Sequence, residues 1–132
     1  MAQIKRGVTP AEETDVYQKL LTKAIEAKLE KSPLGSHDGE KTPEVIVKFF
    51  DPTGSWTWYA TEGSKTEDGD WEFFGLVDGH EKELGYFVLS ELASIRVRFG
   101  LGIERDMHFD GYRLNLNEFP PTVERVPKTE AA

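Results

Sequence analysis

The stretch Glu83-Leu84-Gly85-Tyr86-Phe87-Val88-Leu89-Ser90-Glu91-Leu92-Ala93-Ser94-Ile95 constrains the fold most, because its apolar period changes halfway along. Leu84, Tyr86 and Val88 alternate with Phe87 and Leu89, so both faces of an extended segment are apolar. That pattern predicts a strand inside a sheet rather than at its edge. Ser90 then offers a hydroxyl to the unpaired amides of a helix start, Glu91 suits the positive end of the helix dipole, and Leu92 and Ile95 lie three apart. A strand running directly into a short helix is expected.

Upstream, the period shortens and lengthens in a way that supplies the rest of a sheet. Val45-Ile46-Val47-Lys48-Phe49-Phe50 and Trp56-Thr57-Trp58-Tyr59-Ala60-Thr61 read as strands. Asp51-Pro52-Thr53-Gly54 between them has the residues a type I turn favours, so the two form an antiparallel hairpin. Residues 71–77 resume strand character, and Asp78-Gly79 turns the chain toward the opening stretch. Four consecutive strands with short links imply an antiparallel meander. Ile103-Glu104-Arg105-Asp106-Met107-His108-Phe109 alternates as a fifth strand, and residues 112–119 add an edge segment.

Before the sheet, Thr9-Pro10-Ala11-Glu12 carries a capping box with proline at the first helical position. Val16, Tyr17, Leu20, Leu21, Ala24, Ile25 and Leu29 continue at three- and four-residue spacings, which predicts one helix of roughly five turns. Ser32-Pro33-Leu34-Gly35 ends it. The expected architecture is α+β: an antiparallel sheet of about five strands covered by a long N-terminal helix, with a short helix between strands four and five. Residues 1–8 read as a flexible arm, 9–119 as the single domain and 120–132 as a polar tail, and 132 residues suffice for one core.

Composition narrows the chemistry. There is no cysteine, which removes disulfides, thiolate metal sites and cysteine nucleophiles. No apolar run spans a membrane, and residues 1–9 lack the apolar core of a signal peptide, so a cytoplasmic protein is expected. The net charge of −8 is concentrated in residues 61–83, which hold eight acids and two bases. Such a field disfavours phosphate backbones as partners for that segment, although Arg96, Arg98, Arg105 and Arg113 leave room for a local basic patch.

The motif order resembles a family known as domain of unknown function 2958. The residues that carry it are Lys19-Leu20-Leu21-Thr22 with Leu29, Lys48-Phe49-Phe50 before Pro52, Thr57-Trp58 with Thr61-Glu62, and Phe74-Gly75-Leu76. Glu83-Leu84-Gly85-Tyr86, Leu89-Ser90-Glu91-Leu92, Gly100-Leu101 and Ile103-Glu104-Arg105-Asp106 complete the set, over about residues 18–109. The resemblance implies a mobile-element context, on plasmids, phages or integrative elements. It transfers no catalytic residue.

Three functional readings remain. Glu67, Asp68, Asp70 and Glu72 form an acidic edge suited to a protein with a basic surface, which makes a non-enzymatic accessory or inhibitor protein the preferred expectation. Glu104, Asp106 and His108 on alternate strand positions could hold a metal ion for a hydrolase or nuclease, against the plainer reading of a solvated strand face. Trp56 and Trp58 share a strand face that is either core or an exposed platform for single-stranded bases, and core is the simpler expectation. No cofactor motif is present: Ser90 lacks the glycines of a nucleophile elbow, and residues 67–72 do not complete a calcium loop.

Overall fold

The computed structural model describes residue 17 and residues 19–127. A first helix, α1 (Lys23–Glu30), precedes the meander β1 (Val47–Phe50), β2 (Thr57–Lys65), β3 (Trp71–Asp78) and β4 (Lys82–Val88). The chain then forms α2 (Leu89–Ser94), a short 3-10 turn at Arg98–Gly100, β5 (Glu104–Arg105), and the strands β6 (Tyr112–Asn115) and β7 (Thr122–Arg125). The fold is α+β, with a five-stranded antiparallel sheet ordered β4-β3-β2-β1-β5 and a separate β6-β7 ribbon. Among the described residues no helix is long and apolar enough to cross a membrane.

The expected long N-terminal helix is corrected. Its proposed capping box at residues 9–12 and Val16 lie outside the described residues. Within them, Tyr17, Lys19 and Leu20 are helical, but the path breaks at Thr22, which is extended at φ −84 and ψ 163 and caps α1 through Oγ1 accepting from the Ile25 amide at 3.3 Å. Helical geometry explains the break: nine residues at about 100° each would put Leu20 and Leu29 on opposite sides of one continuous helix. Restarting at Thr22 lets Leu20, Leu21 and Leu29 all bury in one core. The threonine supplies the stop because its hydroxyl competes for backbone amides.

One face of the sheet carries the main core, in which Phe73 packs against Phe49 at 5.6 Å, Phe87 at 5.4 Å and Trp71 at 6.5 Å between ring centroids. Both helices pack on this face, Leu29 from α1 and Leu89, Leu92 and Ala93 from α2. A bulge at Thr61 keeps β2 in phase with that core: the register steps from Ala60↔Gly75 to Glu62↔Phe74, leaving Thr61 as the extra residue, with its hydroxyl donating to the Phe74 carbonyl at 3.3 Å. The opposite face is covered in part by the β6-β7 ribbon, whose Leu114 and Val123 pack with Val45, Leu76 and Tyr59. β6 also bonds to the segment before β1, through Val45 N–H to the Tyr112 carbonyl at 2.9 Å and Leu114 N–H to the Pro43 carbonyl at 2.9 Å.

Three further expectations change. β4 is an edge strand, not an interior one, because β5 crosses over to pair with β1 (Phe49↔Arg105, Phe50↔Glu104) instead of continuing the meander. The fifth strand ends at Arg105 rather than Phe109, because the Asp106 carboxylate accepts the His108 amide at 3.0 Å and turns the chain. The chain past Pro121 does not run on as tail only; residues 122–125 return as β7, which Arg113 and Glu124 help to hold by a 2.9 Å contact. The Arg113 guanidinium, with the Asn115 amide, keeps the Glu124 carboxyl below its ordinary value.

Candidate functional site: an open, acid-flanked sheet edge

The sheet ends differently on its two sides. At one side the edge strand β5 is only two residues long and is followed at once by the Asp106 turn. At the other, β4 runs for seven residues and is exposed or half-buried everywhere except Phe87. Among the described residues no strand pairs with its outer side. Soluble proteins normally shorten, charge or cover such an edge, because its unpaired backbone groups accept another strand. Here the charges are confined to the beginning, at Lys82 and Glu83.

The same edge presents apolar side chains that the β6-β7 ribbon does not reach. Tyr86 is 66% exposed and Leu84 43%. Register places Tyr86 beside Phe74, with ring centroids 5.0 Å apart, and Leu84 beside Leu76. Glu72 lies opposite Val88 at one end of this patch and exposed Glu81 just precedes β4 at the other, while exposed Glu83, opposite Val77, stands on the other face of the sheet. The arrangement is an apolar strip beside an unpaired strand, bounded by carboxylates. It can take an extended segment of another chain through backbone hydrogen bonds, with basic residues of that segment meeting the flanking acids.

The four acids singled out from sequence do not act as one surface. Glu67 and Asp68 sit exposed at the tip of the β2–β3 loop, where Asp68 accepts from the Thr66 hydroxyl. Glu72 stands on the strip side of β3. Asp70 turns inward: its carboxylate accepts the Ser90 amide at 3.1 Å, the Ser90 hydroxyl at 2.5 Å and the Trp71 amide at 2.8 Å. The expected capping role of Ser90 is thereby corrected. The helix cap residue is Val88, which has no capping side chain, and the acceptor comes from Asp70 across the sheet while Ser90 donates to it. Replacing Asp70 by alanine should lower stability by about 1–3 kcal/mol, since a cap and a charge-assisted bond vanish together. Glu67→Gln should stay within about 0.5 kcal/mol of the parent. Equilibrium urea denaturation of the two variants compares them directly.

The other sequence candidates are separated or buried. Glu104 pairs with Phe50 on β5, Asp106 contacts the Lys48 ammonium at 3.6 Å, and His108 lies exposed in the turn. Among the described residues no three His, Asp or Glu side chains cluster as a metal ion would need. Lys48 also lies 5.9 Å from the Tyr59 ring and 5.6 Å from that of Phe109, and burial, with Asp78 and Asp106 nearby, pushes the Tyr59 hydroxyl above its ordinary value of 10.0. Trp56 and Trp58 do share a face, stacked at 6.1 Å, but Trp58 is 8% exposed and Trp71 4%, so the tryptophans line the core side rather than an open platform. Leu84 and Tyr86 carried the signal for the edge all along, in an apolar alternation that one layer of helices could cover on one face only.

A family model described as "Protein of unknown function (DUF2958)" matches residues 20–123. No curated protein and no solved structure matches the chain.

Proposed function

We propose a function from the premise that this chain belongs to the DUF2958 family of proteins of unknown function: it is a non-enzymatic accessory or inhibitor protein of a mobile genetic element, acting by binding another protein in the cytoplasm. The binding surface is the β4 edge with the strip of Leu84, Tyr86 and Phe74. The partner contributes an extended segment with basic residues. The observation that carries this reading is the contrast between the two edges, a two-residue β5 that is closed by a turn and a seven-residue β4 that is left open beside exposed aromatic surface.

This refines the acidic-edge expectation. Glu67 and Asp68 project from the loop beyond the strip, whereas Glu72 and Glu81 lie at its two ends. Acids at the rim of an interface chiefly steer association and select a partner of opposite charge, while the buried aromatic and backbone contacts supply affinity. A photo-crosslinking residue at position 86 should capture a defined partner from the native host. With the crosslinking residue moved to position 82, the double change Leu84→Lys with Tyr86→Lys should reduce capture at least about tenfold, since two interface anchors are lost and basic charge is placed against a basic segment. Its thermal midpoint should stay near that of the parent, because both side chains already face water. Capture undiminished by the double change would remove the basis for this reading.

A further inference from the structure

The open edge of β4 is complementary to a second copy of itself. β4 spans Lys82–Val88, so Gly85 is its central residue. A two-fold axis normal to the sheet has to pass between one residue and its own copy, because antiparallel strands set residues directly opposite each other. Only an axis at Gly85 pairs the whole strand: Leu84 then faces Tyr86 of the second copy, Glu83 faces its Phe87 and Lys82 faces its Val88. An axis at Leu84 or Tyr86 would leave two residues of the strand without partners, and one at Glu83 would oppose two carboxylates.

The side chains fit the Gly85 register. Leu84 and Tyr86, 43% and 66% exposed in one copy, become aliphatic–aromatic cross-strand pairs on one continuous sheet face. No like charges stand opposite each other. Lys82 is the only basic residue of β3 and β4, and in its own chain it lies opposite Asp78. In the pair it also lies two strand spacings, about 10 Å, from Glu72 of the second copy, because Glu72 is opposite Val88. Lysine and glutamate side chains together span that distance, and symmetry makes the contact twice. The net charge of −8 on each copy opposes association at long range, which keeps the pair weak and lets a basic segment displace it.

From this self-complementary register we infer that two copies of the chain join β4 to β4 about a two-fold axis at Gly85, merging their five-stranded sheets into one. The inference rests on the reading of β4 as an open, strand-accepting edge, and it adds what occupies that edge before another protein arrives.

Cysteine trapping in the full chain tests it, with no native cysteine to interfere. Gly85→Cys has room, since a Cβ there meets nothing within 4 Å. In the pair its two Cα atoms stand about 4.5–5.5 Å apart, within disulfide reach. The two copies of Lys82→Cys stand about 20 Å apart, beyond it. Gly85→Cys should therefore oxidise to a covalent dimer at least about tenfold faster than Lys82→Cys. A mixture of Leu84→Cys and Tyr86→Cys chains should cross-link at least about fivefold faster than either alone, which tests the register without a change at Gly85. The unmodified chain should sediment as a dimer at about 500 μM and as a monomer, with β4 free, at about 5 μM.

The inference is overturned by a monomer at about 500 μM or by equal oxidation of Gly85→Cys and Lys82→Cys. A free chain that stays monomeric yet captures a partner through β4 overturns self-pairing alone. A β4-linked dimer that captures no other protein supports self-pairing and removes only the proposed binding of a foreign strand.

Discussion

Gly75→Ala is expected to prevent folding or to cost about 4 kcal/mol or more, beyond the range of ordinary substitutions. A Cβ at this position would stand 1.7 Å from the Tyr59 carbonyl oxygen, 2.8 Å from its carbon and 3.0 Å from the Ala60 Cα. All three atoms belong to backbone, so no rotamer change can make room. Gly75 lies in the centre of β3, opposite Ala60, one residue before the Thr61 bulge, and pairs on its other side with Gly85. The bulge presses the two strands together there, and only a residue without a side chain tolerates the approach. Gly85 provides the control, since a Cβ there meets nothing within 4 Å. Gly85→Ala should be neutral or stabilising by about 0.5 kcal/mol. Soluble yield and urea midpoints of the two variants decide the matter. Equal behaviour would mean that the bulge is not where the register puts it.

The second large effect is expected at Glu62, a carboxylate only 3% exposed. It is held by backbone alone: Oε1 accepts the Gly35 amide at 2.7 Å and Oε2 the His37 amide at 2.9 Å. Ser64, on the same strand, accepts the Leu34 amide at 3.0 Å. Together they pin the polar segment after α1 onto β2. Glu62→Gln replaces one acceptor oxygen by an NH2 group that faces a backbone N–H, so one charge-assisted bond becomes a donor–donor conflict. A loss of about 2–4 kcal/mol is expected. Native-state hydrogen exchange should show the Gly35 and His37 amides released together. A variant as stable as the parent, with both amides still protected, would contradict this role.

These two residues also mark what sequence could and could not disclose. The hairpin at Asp51-Pro52-Thr53-Gly54 was legible because its turn chemistry is local, and the Gly54 amide does bond the Asp51 carbonyl at 2.8 Å. The meander and the short helix after β4 were legible for the same reason, as changes of period within a few residues. Nonlocal partners were not. Ser90 reads as a cap until Asp70, twenty residues away, is brought beside it by the β3–β4 pairing. Leu84 and Tyr86 read as interior residues until the crossover of β5 to β1 leaves β4 without a neighbour. The apparent five-turn stripe concealed that Leu20 and Leu29 cannot share one helix face, and Thr22 resolved the conflict. Pro120-Pro121 hid β7, whose short run offers Val123 alone to the second core.

The candidate edge was therefore half visible. Its acids stood out by composition, and its apolar strip stood out as alternation, but their juxtaposition depends on strand order.

The central claim is that β4 receives another protein's strand. Hydrogen–deuterium exchange across the full chain, with and without the partner captured through position 86, tests it most directly. Binding should slow exchange at the outward-facing amides of residues 82–88 by at least about tenfold, with little change in the β5 segment at the opposite edge. Protection confined to the β2–β3 loop, with residues 82–88 exchanging as in the free protein, would contradict it.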